Sequence, residues 1–279
     1  MKKINIEKTL MILISIAAYV VLCLFSPMEM PSGDKGTIMA VLCKYNKSEL
    51  IGYGDFYSVG TILDSFRDMQ WYVVLLPVIV SLYPIILMKE KFFSNSYYYR
   101  VTREGRKYYS GKTLVEAVGY TTAVNNLSLI LFFIIICMKF PCIDILEGKE
   151  MSGSIYIVHM AKICLMTTLV SLLLLCISLV IMNISGDVFF AITLPMLICY
   201  IGYKVLNIHM IYIRKIYGMD FPNRVLRVEI LNPAYLINAD LAFENTFGVN
   251  VAVLYCALLI VVLAMIYAIY RWMNRKVYG

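Results

Sequence analysis

The sequence predicts an all-α membrane protein: six transmembrane helices, both termini on the cytoplasmic side, a short basic amphipathic helix between spans 2 and 3, and interfacial helices outside before span 6. Three observations predict it. Of 279 residues, 61% are hydrophobic and only 15% charged, with a mean hydropathy of +0.77, whereas the apolar share of a soluble domain is nearer half. Six apolar runs approach the roughly 20 residues that cross a bilayer as a helix. Basic residues are concentrated in alternate connecting segments, as cytoplasmic flanks require.

Taken in order, Met1 to Thr9 is a basic lead with Lys2, Lys3 and Lys8, and the first span follows over 10–25. Its apolar run is long and no small-x-small cleavage site follows, which favours a retained span over a signal peptide. Residues 26–70 form an outside segment with six acids against four Lys/Arg. It is too long for a simple connection and is expected to carry short helices packed on the outer face. The second span, 71–88, contains Pro77 and Pro84, each of which removes a backbone donor and is expected to kink it.

Residues 89–116, KEKFFSNSYYYRVTREGRKYYSGKTLVE, are the chain's most basic polar stretch, with seven Lys/Arg and three acids. At 100° per residue, Arg100, Arg103, Arg106 and Lys107 share one side and Tyr97, Val101 and Tyr108 the other. That pattern predicts a helix lying on the cytoplasmic membrane surface, with its cations available to a soluble partner.

The third span, 117–138, carries Tyr120, Asn125 and Asn126 in its inner half. Amides in hydrocarbon must find partners, so this half faces other helices or a cavity; either helix contact or the path of a transported molecule satisfies that requirement. A second outside segment, 139–158, leads to spans over 159–182 and 188–206, joined by the tight inside turn NISGD. The third outside segment, 207–250, is expected to start with a separate interfacial helix, IHMIYIRKIYGM, before the sixth span at 251–270.

The charge balance sets the orientation. Segments 1–9, 89–116, 183–187 and 271–279 hold 13 Lys/Arg and 5 acids, while the three longer outside segments hold 10 and 13. Both ends are therefore expected in the cytoplasm, and the net charge of +7 reads as topology rather than as a nucleic-acid surface.

Catalytic motifs are absent from the sequence. GRKYYSGKT, Gly105 to Thr113, imitates a phosphate-binding loop but has five residues between its glycines where that loop has four, and no buried strand precedes it. Of eight cysteines, six lie in apolar runs, where a thiol packs as a small hydrophobe. Cys43 and Cys142 fall in outside segments, either as a disulfide or as two thiols, and no Cys/His spacing suggests a metal.

The layout resembles the permease subunits of type-2 ATP-binding-cassette exporters, over nearly the whole chain. The most specific piece is RVTREGRKYYSGKTLVEAV, Arg100 to Val118, which is similar to the segment between spans 2 and 3 in permeases of Gram-positive bacteria. The resemblance implies a coupling helix docked on a cytoplasmic ATPase, with Arg100, Arg103, Glu104, Arg106 and Lys107 as contacts. It also implies a second permease subunit, ATP and Mg²⁺ held by the partner rather than by this chain, and residence in the bacterial cell membrane. LNPAYLI, Leu231 to Ile237, resembles the re-entrant segment before the last span. Only nine residues precede the first span, whereas many members of that family carry a longer amphipathic helix there. The implied cargo is hydrophobic or amphipathic, with a peptide such as a bacteriocin preferred, for export or self-immunity. The alternative is an ATPase-independent carrier or an immunity or sensor protein acting through its outside segments.

Overall fold

A computed structural model describes residues 2–93, 105–142, 155–217, 232, 236–237 and 251–275. Six of its helices are long and apolar enough to cross a membrane: α1 (Lys2–Leu24), α5 (Gln70–Phe92), α6 (Arg106–Lys139), α7 (Ile155–Ser185), α8 (Val188–Tyr217) and α9 (Val251–Arg275). Between α1 and α5 lie the antiparallel strands β1 (Pro27–Glu29) and β2 (Lys35–Thr37), then α2 (Ile38–Lys44), α3 (Lys47–Ile51) and α4 (Val59–Ser65).

The spanning helices form two shells. At the centre α5, α6 and α7 pack against one another, and each groove between them is covered by one outer helix. Helix α1 covers α5 and α6, α8 covers α5 and α7, and α9 covers α6 and α7. Burial follows this order: α5 and α7 are mostly enclosed, while α1, α8 and α9 expose long apolar faces such as Leu194, Leu197 and Ile201 or Ile260 and Leu263. In water such faces would be a liability; against lipid they are the expected surface.

Two apolar clusters fill the interior. One includes Phe66, Leu129, Phe132, Val170 and Leu174, the other Ile85, Leu114, Leu179, Met182 and Ile269. On α6 the inward-facing Tyr120, Thr121, Asn125 and Ser128 lie between the two sets.

Helix α5 runs as one helix through both prolines. Pro84 has no N–H for the Val80 carbonyl one turn back, and the Thr121 hydroxyl of α6 donates to that oxygen instead, at 2.8 Å. The Ser81 hydroxyl donates to the Pro77 carbonyl. The carbonyl orphaned by Pro84 is therefore held by a hydroxyl from a neighbouring helix, in the way membrane helices accommodate lost backbone bonds.

Residues 26–68 form a folded cap over one end of the bundle. Thr37 caps α2 by accepting from the Ala40 amide at 3.2 Å, Ser58 caps α4 by accepting from the Thr61 amide at 3.3 Å, and Asn46 with Glu49 forms a capping box on α3. The cap buries Ile38, Val41, Leu50, Ile62 and Phe66 in the first apolar cluster. It is stitched to the bundle where the Val59 amide donates to the Pro141 carbonyl at 3.0 Å.

Several helices run past the expected spans, from α1, which starts at Lys2, to α9, which ends at Arg275, and two ends depart furthest. The third span does not start near residue 117: α6 begins at Arg106, so the last eleven residues of the basic segment are its first three turns. At 34 residues this helix is about 50 Å long, well beyond a hydrocarbon core of about 30 Å. Likewise 208–217 is not a separate interfacial helix but the continuation of α8, because no glycine or proline interrupts the chain there.

Candidate functional site

The described parts of the basic segment, 89–93 and 105–116, lie at the end of the bundle opposite the cap. Gly105, with φ of 78° and ψ of 131°, is not helical and immediately precedes α6; residues 97–104 of the expected surface helix lie outside the described residues. Glycine suits this position because a positive φ strains residues with a β-carbon. Arg100, Arg103 and Glu104 lie outside the described residues; Arg106 opens α6, and Lys107 follows it, exposed to solvent. Phosphate-loop geometry is absent, since Arg106 to Thr113 is continuous helix.

From Arg106 onward the segment is tied to the rest of the bundle. The Phe92 and Tyr109 rings meet at 5.6 Å between centroids, and the Tyr109 hydroxyl donates to the Lys91 carbonyl at 3.3 Å. Lys91 Nζ then reaches Glu116 Oε2 at 2.8 Å, and Lys8 Nζ reaches Glu116 Oε1 at 2.8 Å. The Tyr83 hydroxyl donates to Glu116 Oε1 at 3.4 Å, and its ring lies 4.6 Å from that of Tyr120. One carboxylate on α6 thus binds α1 and α5 at the same level.

This junction was not singled out in the sequence. Lys8 was visible only as a member of the basic lead, and Lys91 and Glu116 as members of the basic segment 89–116; nothing local shows that one acid serves two lysines. The grouping itself was legible, since all three were assigned to the same side. The tight turn agrees with that grouping: Gly186, at φ 68°, packs against Phe93. At the C-terminal end of the bundle, Tyr270 packs against Gly111. The start of α1, the α5–α6 junction, the α7–α8 turn and the end of α9 therefore share one face of the bundle.

The amides of span 3 are accounted for within the chain. Asn125 is fully buried; its Oδ1 accepts from Tyr19 at 3.0 Å and Ser171 at 3.4 Å, and its Nδ2 donates to Thr167 at 3.1 Å and Thr168 at 3.0 Å. Asn126 Oδ1 accepts from Thr168 at 3.1 Å, and Tyr120 pairs with Ser15 on α1. Tyr19 in turn pairs with Tyr72 at 2.7 Å. Through these side chains the network joins α1, α5, α6 and α7.

At the cap, no disulfide joins Cys43 to Cys142. Cys43 is exposed, whereas Cys142 is buried, a free thiol hydrogen-bonded with the thiol of Cys137. Of LNPAYLI, the described residues are Asn232, whose Nδ2 donates to the Gly202 carbonyl at 2.9 Å, and Leu236 and Ile237, both buried in the first apolar cluster.

Sequence reasoning also passed over Arg67, fully buried in the turn before α5, where Nε donates to the Leu63 carbonyl at 2.9 Å. Buried charge in a segment rich in exposed acids leaves no periodic signal. With the geometry in hand, the chain was compared with protein-family models, curated proteins and solved structures. No match was found.

Proposed function

We propose that this protein is the permease subunit of an exporter driven by a separate cytoplasmic ATPase, paired with a second permease subunit, in a bacterial cell membrane with both termini inside. The observation that carries the reading is the continuity of the basic segment with span 3. Lys107 lies on the first turn of a helix that runs unbroken to Lys139, and that helix is tied to α1 and α5 through Glu116. A partner that grips the segment therefore acts on three spanning helices together. ATP and Mg²⁺ belong to that partner, and this chain supplies the docking cations and the membrane path.

Such a junction converts closure of the ATPase into rigid-body tilt rather than local bending, which is how packed elements transmit motion. The contacts to the ATPase are Arg100, Arg103, Glu104, Arg106 and Lys107. A hydrophobic or amphipathic cargo, with a peptide preferred, suits a bundle whose central amide, Asn125, is already hydrogen-bonded within the chain: the path then runs along the chain's outer apolar faces, at the contact with the second subunit.

Charge reversal at Arg103 and Arg106 tests the reading. Arg103→Glu/Arg106→Glu is expected to lose co-purification with the ATPase while membrane insertion and thermal stability are kept; unchanged association removes the docking role. A second reading, an ATPase-independent immunity or sensor protein, is favoured by the folded cap with its own capped helices. It predicts that no ATPase co-purifies with either form.

A further inference from the structure

The cap carries a groove that neither the helix packing nor the docking segment uses. It encloses about 510 Å³ between the β1 strand and the turn before α4, and its walls include Met28, Glu29, Met30, Tyr53, Phe56 and Tyr57. Tyr53 and Tyr57 meet edge to face, 5.7 Å between centroids and 77° between planes, which makes an aromatic corner. Phe56 stands beside it 78% exposed, although the cap has an apolar core in which it could be buried.

Glu29 is the one charged side chain among the described residues lining the groove. Its charge reaches Tyr57, whose phenol is pushed up by burial and then by the neighbouring carboxylate. The floor is preformed, because the Tyr57 hydroxyl donates to the Glu29 carbonyl at 2.9 Å and Tyr57 itself is buried. The same bond, together with Pro27, which has no N–H, blunts the outer edge of β1. A bound segment therefore cannot pair there as an added strand, and recognition falls to side-chain chemistry.

An aromatic corner with one carboxylate is the chemistry that holds an organic cation, through the ring faces and a charge-assisted bond. We infer that this groove binds the lysine or arginine side chain of a cationic amphipathic peptide. Two features favour a peptide. The Met28 and Met30 wall beside the cage accepts a neighbouring apolar side chain, which a lipid headgroup does not offer. Segment 26–70 also has six acids against four bases, and that excess attracts a multiply charged cation from a distance. The inference rests on the transport reading only for the purpose of binding, since the peptide would then be the cargo.

The test uses the full chain in dodecyl maltoside micelles and a fluorescein-labelled 12-residue peptide of lysine and leucine. Saturable binding is expected, weakened at least tenfold by Glu29→Gln and by Phe56→Ala. Both side chains are exposed, so the fold should survive, and an unchanged thermal transition verifies this. A peptide with glutamine in place of lysine should not bind. Equal binding by the two variants and the wild type overturns the proposal, as does equal binding of the glutamine peptide, or displacement of the lysine peptide by a lysophosphocholine more readily than by unlabelled peptide. Binding with no effect on ATP hydrolysis by the co-purified ATPase leaves the groove standing and counts against transport; peptide-independent coupling with no binding does the reverse.

Discussion

Thr121→Val should destabilise the protein through a carbonyl on another helix. Thr and Val have nearly the same shape, so the substitution removes a hydroxyl and leaves packing almost intact. What is lost is the 2.8 Å bond to the Val80 carbonyl, a group that Pro84 has already deprived of its helical partner. A buried acceptor left without a donor costs about 1–3 kcal/mol, and bonds between membrane helices measure nearer 0.6 on average, up to about 1.7. About 1 kcal/mol is expected, roughly a fivefold shift in the unfolding equilibrium. Pro84→Ala restores an amide at position 84 that can serve Val80, so in that background Thr121→Val should cost only a few tenths of a kcal/mol. The four proteins form a double-mutant cycle, read by reversible unfolding in mixed micelles. An equal cost of Thr121→Val in both backgrounds would refute the reasoning.

Asn125→Leu removes four side-chain bonds from one buried amide and should cost about 2–3 kcal/mol, with cargo preference unchanged; altered preference at full stability would make Asn125 a path residue instead. Glu116→Gln leaves Lys8 and Lys91 facing one another with only a neutral amide between them, and about 1 kcal/mol of stability is expected to be lost, since these groups are partly solvated. The loss should shrink when Lys8 is also replaced by Gln, as thermal unfolding of the single and double variants will report. Gly202→Ala places a methyl against Asn232 Oδ1 and should release the segment around Asn232, detected as faster amide exchange at Leu236 and Ile237.

The six spans were legible because a run of apolar residues long enough to cross lipid is a strong signal in itself. Their ends were not, because helix propensity continues past the membrane boundary: Arg106 to Glu116 and Ile208 to Tyr217 are polar or mixed yet contain no proline, and the helices extend through them. The β1–β2 hairpin was missed since three-residue strands carry too few alternations to show a period. Asn125 was flagged correctly as a residue that needs partners, but hydroxyls on α7, 42 and 43 residues away, have no local signature. The same holds for Thr121, whose role appears only when Pro84 of the neighbouring helix is placed beside it.

The whole account depends on which end of the bundle meets the cytosol. In a background with the other cysteines replaced by serine, the native exposed Cys43 on the cap and a Lys107→Cys variant can be probed with a membrane-impermeant maleimide on intact cells. The account predicts labelling of Cys43 and protection of position 107 until the membrane is opened. Labelling of position 107 on intact cells, with Cys43 protected, would put the basic segment outside and contradict the docking of any cytoplasmic ATPase there.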